Sequence, residues 1–163
     1  MANAAPLSLE DMLQTISAGL KQQVNKPNIF GYTPHAKQDD FHHADTKGRL
    51  YIGGNRSGKS YASVAEDVWW LTNTHPYIET PEVPIRGRVV TVDFVYGLEQ
   101  IIIPLFKILT PKRFLKNGSW DESYSKQYRT LTLTNGSTCE FMSYEQDTEK
   151  FAGTSRHFVH YDE

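Results

Sequence analysis

Apolar and polar positions recur along this chain with two different periods, and the change of period divides it into elements. Leu9, Met12, Leu13, Ile16 and Leu20 fall at helical spacing behind Ser8 as an N-cap and an acidic first turn, Glu10-Asp11, which predicts a helix over residues 8–23. Residues 25–34 carry two prolines and a glycine and read as a linker, either mobile or strapped onto the core. A short helix is expected over 34–44 and a short strand at Leu50-Tyr51-Ile52. Ala62, Val64, Ala65, Val68, Trp69 and Leu71 are mostly core-type residues and predict a helix over 60–71, with Trp69 and Trp70 anchoring it on a sheet. A polar, proline-rich connection over 72–84 leads to a β-branched run at 88–94, which reads as a buried strand. Residues 97–109 predict a helix interrupted by Pro104. Alternating residues at 130–134 and 138–142 flank Asn135-Gly136-Ser137 and predict a hairpin. A polar loop over 145–154 then precedes a last apolar run, Phe158-Val159. Strands interleaved with helices give an α/β chain.

Composition narrows the setting. The 163 residues suit one domain, and 39% hydrophobic with 22% charged residues fits a soluble globular protein. A net charge of −2 is no basic footprint for nucleic acid, although a local patch can still do the binding. Pro111-Lys112-Arg113-Phe114-Leu115-Lys116 is such a patch, read either as a backbone contact or as a solvated loop, with the loop favoured. The single cysteine, Cys139, excludes an intrachain disulfide, points to a reducing intracellular setting, and reads as a small apolar strand residue. No run approaches the roughly 18 apolar residues of a membrane span, and residues 1–6 lack the layout of a signal peptide. Asn117-Gly118-Ser119 and Asn135-Gly136-Ser137 match glycosylation sequons but read as turns.

The chemistry concentrates at Gly53-Gly54-Asn55-Arg56-Ser57-Gly58-Lys59-Ser60, which reads G-x-x-x-x-G-K-S, the phosphate-binding P-loop. Glycines let the backbone curl so that several N–H groups face one phosphate. The helix beginning near Lys59 adds its positive N-terminal end. Lys59 supplies a charge for the β- and γ-phosphates, and the Ser60 hydroxyl is a ligand for Mg²⁺. The apolar run ending in Asp162-Glu163 resembles a Walker B strand, in which Asp162 holds Mg²⁺ and Glu163 polarises the attacking water. His160 departs from the all-apolar run of such a strand. Gln38, on the short helix ahead of the loop, can pair both ends of its amide with adenine, or be a solvated surface glutamine. His35, His42 and His43 do not face one site on a helix and read as solvated or partly packed rather than as metal ligands.

Four elements stand in order: a glutamine upstream, an arginine-containing P-loop, an Asn-Gly hairpin, and the Phe151-Ala152-Gly153 loop leading into Asp162-Glu163. Over residues 34–163 this arrangement resembles the N-terminal ATPase domain of bacteriophage terminase large subunits. The resemblance implies a P-loop NTPase fold of the RecA-like, additional-strand class, with a mostly parallel sheet and helices on both faces. It divides the chain into an N-terminal helix and linker (1–33) and an ATPase domain (34–163). It implies ATP and Mg²⁺ as cofactors, bound by Gly53, Gly54, Asn55, Arg56, Ser57, Gly58, Lys59 and Ser60, with Asp162 on the metal and Gln38 on the adenine. Catalysis would use Glu163, Lys59 and Arg56, the last on the γ-phosphate of its own subunit. Arg156 would be either an arginine finger toward a neighbour or a surface salt bridge. The implied activity is ATP-driven translocation of double-stranded DNA into a procapsid in the host cytoplasm. The partners would be sister subunits in a ring, a portal protein and a small terminase subunit, with no membrane. A helicase, or a nucleotide-binding fragment without turnover, are the alternatives. The family's coupling motif and RNase H-like nuclease domain do not occur within these residues, so the expected sheet stops after the Walker B strand and leaves an open edge.

Overall fold

The computed structural model of the protein describes residues 28–146 and 155–162. The helix expected at 8–23, the Phe151-Ala152-Gly153 loop and Glu163 lie outside the described residues.

The described elements are α1 (Ala36–His43), α2 (Lys59–Thr72), β1 (Arg86–Thr91), a π-helix (Phe94–Ile102) running into α3 (Ile103–Leu109), β2 (Tyr124–Ser125), β3 (Thr130–Thr132), β4 (Thr138–Ser143) and β5 (Phe158–Asp162). The strands form one mixed sheet in the order β2-β3-β4-β1-β5. β1 runs parallel to both its neighbours, with Val89 opposite Phe141 and His160. β2 and β3 extend the sheet antiparallel from β4. The sheet is therefore α/β in kind, parallel around β1 and antiparallel at one edge, where the expected hairpin sits.

Pleating sorts the side chains, since alternate residues face opposite sides. Val89, Cys139, Phe141 and His160 share one face, and Val64, Ala65, Val68 and Leu71 of α2 join Val89, Cys139 and Phe141 in the apolar core. Leu98 and Ile102 of the π-helix and Phe106 and Leu109 of α3 complete it, with Phe106 meeting Phe141 edge to face at 5.0 Å. The helices that build this core lie on that one face, so the two-sided cover expected from the sequence is seen on one side among the described residues.

Three local expectations change. Leu50-Tyr51-Ile52 forms no strand, and Leu50 and Ile52 are 83% and 81% exposed. Among the described residues the sheet ends at β5, and that run does not pair with its free edge. The buried strand starts at Arg86 and stops at Thr91, because Asp93 turns the chain by accepting a hydrogen bond from the Tyr96 N–H at 2.6 Å. Pro104 does not break a helix midway: it sits in the first turn of α3, where a missing N–H costs little. The hairpin closes as its sequence requires. Gly136 takes φ +84°, Asn135 Oδ1 accepts from the Ser137 N–H at 3.0 Å, and Asn135 Nδ2 donates to the Leu71 carbonyl at 2.8 Å, which ties the turn to the end of α2.

The described end of the expected linker packs as a strap. Ile29 is 2% exposed in the core, and the Tyr32 hydroxyl meets His42 Nε2 at 2.8 Å. The division expected between residues 33 and 34 thus falls within a packed segment. No helix among the described residues is long and apolar enough to cross a membrane.

Candidate phosphate-binding site

The P-loop runs into α2 at the end of the sheet where the parallel strands β1, β4 and β5 finish, at Thr91, Ser143 and Asp162. Open α/β sheets bind their ligands at that end. The Ser57 N–H donates to the Gly54 carbonyl at 3.2 Å and closes a tight turn. Arg56 (φ +63°) and Gly58 (φ +80°) hold left-handed conformations, and Gly58 caps α2. A Cβ on Gly58 would stand 2.7 Å from Gln38 Nε2 at a left-handed φ, so that position favours glycine; one on Gly53 would stand 2.6 Å from Ser57 Oγ, which would have to turn away. Lys59 Nζ folds back onto the carbonyls of Gly53 and Gly54 at 2.9 and 3.1 Å. Gly53, Gly54, Asn55 and Arg56 are exposed; Ser57 Oγ is buried without a hydrogen-bond partner.

One contact joins the loop to the far end of the chain. Ser60 Oγ donates to Asp162 Oδ1 at 3.0 Å. Burial pushes the Asp162 carboxyl up, but His160, Ser60 and the charge of Lys59 outweigh it and hold the carboxyl below its ordinary value. An ionised carboxylate and a hydroxyl are hard oxygen donors, and Mg²⁺ takes one or two of these and completes its shell with water and phosphate oxygen. The donor set therefore fits Mg²⁺ with a triphosphate. It does not resemble an all-protein metal cage, and the described residues hold no cluster of three or more His, Cys, Asp or Glu side chains able to form one.

No family model, curated protein or solved structure matches the chain.

Behind Asp162 lies a buried ion pair. Asp67, on α2, is 4% exposed and its Oδ2 is 2.7 Å from His160 Nδ1. Burial alone would lower the His160 pKa. The charge of Asp67, its hydrogen bond to the ring and the charge of Asp162 overcome this and lift it from 6.5 to about 10. The departure from an apolar strand noted at His160 is thus one half of a buried pair with Asp67, whose own carboxyl is pushed up by burial.

A second buried network clamps α1 to the loop. Gln38 is 5% exposed. Its Oε1 accepts from the His35 N–H at 3.1 Å and its Nε2 donates to the Gly58 carbonyl at 3.0 Å. A base read by Gln38 would use the second amide hydrogen and the second oxygen lone pair, or displace one of these two bonds. His35 Nε2 lies 3.2 Å from the Ser57 carbonyl. One helical turn on from Gln38, His42 is fully buried, its Nδ1 2.6 Å from Glu66 Oε1. Arg49 Nη2 donates to Glu66 Oε2 at 2.6 Å, and His75 Nε2 lies 3.1 Å from the same Glu66 Oε2. Burial would raise the Glu66 carboxyl; hydrogen bonds from His42, His75 and Arg49 bring it down to about 2. Trp69 packs against Tyr32, His42 and His75 of this cluster, whereas Trp70 meets Phe158 of the sheet.

Of the residues expected at the site, residues 53–60, Gln38 and Asp162 come together. Arg156 does not. Its Nη2 donates to Glu140 Oε2 at 2.7 Å, beside Arg88, which pairs with the same oxygen at 2.8 Å. Arg156 precedes β5 at the strand end away from Asp162, about 20 Å off at the usual rise per residue. In the basic patch Lys112, Arg113 and Lys116 are exposed, Leu115 is buried, and Arg113 stacks over Phe30 and Phe114. Cys139 is buried in β4, where burial holds its thiol well above the ordinary value, as an inert strand residue requires. A groove of about 650 Å³ between Lys116, Glu122, Tyr124, Tyr128 and Thr130 lies at the β2–β3 edge, remote from the loop.

Proposed function

We propose that this chain binds ATP with Mg²⁺ at residues 53–60 and hydrolyses it. The observation that carries the reading is the Ser60–Asp162 hydrogen bond of 3.0 Å, which brings the P-loop serine and the carboxylate at the end of the apolar strand together as a pair of metal ligands. Bound Mg²⁺ would neutralise charge on the β- and γ-phosphates. The first N–H groups of α2 and the turn at 54–57 face the phosphates. Lys59 exchanges its two carbonyl partners for phosphate oxygens. Arg56, exposed on the loop's rim, supplies charge to the γ-phosphate as negative charge spreads in the transition state. Glu163, next to Asp162 in sequence, takes the role of orienting and deprotonating the attacking water.

The order of motifs supports a narrower proposal, the ATPase motor of a terminase large subunit that drives double-stranded DNA into a procapsid in the host cytoplasm. Sister subunits in a ring, a portal protein and a small terminase subunit would be its partners. The remoteness of Arg156 from Asp162 means that, as a finger, it can serve only a neighbour's site. The same remoteness favours a second reading for the isolated chain, nucleotide binding without turnover.

Multiple-turnover phosphate release with ATP and Mg²⁺ tests the proposal. Turnover is expected to vanish in Glu163→Gln with ATP affinity kept, and tight binding to vanish in Lys59→Ala. Undiminished affinity in Lys59→Ala refutes the loop assignment. ATP binding by the wild-type chain with no phosphate release selects the second reading.

A further inference from the structure

The Asp67–His160 pair is unexplained by phosphate binding itself. Burying two ionisable groups in a core helix and a sheet strand is costly unless they are paired, and here they are, at 2.7 Å. Their placement is specific. Ser60 and Asp67 are two turns apart on one face of α2. Asp162 and His160 are two residues apart on one face of β5. The helix is thus pinned to the strand at two points, Ser60 to Asp162 and Asp67 to His160. Pinning at two points stops α2 from sliding or rotating along β5. His160 Nε2 is buried, has no hydrogen-bond partner, and stands 3.9 Å from Asp162 Oδ1. The ring edge packed at that distance from the oxygen limits where the carboxylate can turn.

We propose that Asp67 and His160 are positioning residues that hold Asp162 against Ser60, and so set how strongly a divalent cation contributes to triphosphate binding. The inference rests on the Mg²⁺–triphosphate reading of the loop. Neither residue touches the nucleotide. Asp67 orients the imidazole, the imidazole orients the carboxylate, and the carboxylate is in place before the cation arrives. Groups that orient metal ligands in this way are worth about tenfold to a hundredfold in metal affinity.

The test is equilibrium binding of a fluorescent ATP analogue in Mg²⁺ and in EDTA, with the ratio of the two affinities as the readout. His160→Asn keeps a donor to Asp67 but places nothing before Asp162. His160→Gln places an amide nitrogen near the Nε2 position instead. Asp67→Asn replaces the carboxylate that fixes the imidazole by an amide, which bonds it more weakly and in either orientation. The expected result is an EDTA affinity close to wild type in all three, with the Mg²⁺-dependent gain cut about tenfold in His160→Asn and Asp67→Asn and largely kept in His160→Gln. An unchanged gain in His160→Asn and Asp67→Asn overturns the inference and leaves the pair a packing feature. Equal loss of gain in the Asn and Gln variants at position 160 also overturns it, since position of the nitrogen would then be irrelevant. A variant that loses its EDTA affinity has lost the fold, and the remaining two decide. A wild-type chain that binds the analogue in neither buffer refutes the nucleotide reading itself, and the inference with it.

Discussion

Replacing Glu66 by glutamine removes the charge at the centre of the clamp between α1 and α2, and the cost can be worked from its ionisation. The folded carboxyl titrates at about 2 against an ordinary 4.5, and only 6% of its side chain is exposed, so solvent screens little of the interaction. That gap corresponds to about 3 kcal/mol of folding stability near neutral pH. The folded value is depressed, so the contribution is complete above about 4.5 and is lost as pH falls toward 2. The groups facing Glu66 are His42 on α1, Arg49 ahead of the loop and His75 after α2, and Glu66→Gln leaves all three in place. Urea denaturation of wild type and variant from pH 7 to 3 measures the effect. Near neutrality Glu66→Gln is expected to be less stable by about 3 kcal/mol, roughly 6–12 °C in Tm for a chain this size. Between pH 6 and pH 3 the difference should shrink by about 2 kcal/mol. Other depressed carboxyls, Glu140 and Asp162 among them, titrate in both proteins and cancel in the difference. A difference that stays constant with pH would refute the reasoning, because the loss would then come from packing rather than from charge.

Further outcomes follow from single contacts. Gly58→Ala places a Cβ 2.7 Å from Gln38 Nε2 at φ +80°, and is expected to cost about 1–2 kcal/mol in thermal unfolding while weakening ATP binding. Asn135→Ala removes the bonds to Leu71 and Ser137 and should cost about 1–2 kcal/mol by urea denaturation. Phe141→Ala empties the contact with Phe106 and Tyr124, with an expected loss of about 3–5 kcal/mol. Arg56→Ala should slow steady-state phosphate release far more than it weakens ATP affinity; equal loss of both would mean a ground-state phosphate contact instead.

The parts of the site that were legible in the sequence are those whose chemistry is local. A run of eight residues fixes the loop's turn and the start of α2, and an Asn-Gly pair fixes the hairpin, because each needs only its own backbone angles. The strand and helix cores were legible for the same reason, through Val89-Val90 and the apolar face of α2. Buried polar partnerships were not. Glu66 and Asp67 sit mid-helix among apolar residues, where spacing alone suggested only a core face, and their partners come from residues 42, 49, 75 and 160. His42 read as solvated or partly packed, and α1 has no apolar stripe that would have marked its inward face. Its inward face is instead made of Gln38 and His42, four residues apart. The one available signal was two adjacent carboxylates inside a helix otherwise fit for burial, which demands cations elsewhere in the chain. Leu50-Tyr51-Ile52 misled for the opposite reason. An apolar run reports that a segment suits a sheet, but pairing needs a neighbouring edge.

α2 is held at both ends and along its length. Glu66 ties it to α1, Asp67 and Ser60 tie it to β5, and the Leu71 carbonyl receives Asn135. A helix so restrained works as a strut whose first turn keeps a constant distance from Asp162. When phosphate occupancy changes, the accommodation must come from groups bonded only within the loop. These are the exposed residues 53–56 and the Lys59 ammonium, whose partners are its own loop carbonyls. If the loop binds ATP as proposed, Gln38 would offer a route from the loop to the base, since its amide already spans His35 and Gly58. An adenine that takes the Oε1 from His35 leaves the bond to Gly58 intact, while one that takes the Nε2 releases the glycine at the helix cap. The first exchange reads the base without disturbing the phosphate site. The second couples base recognition to the backbone that holds the phosphates.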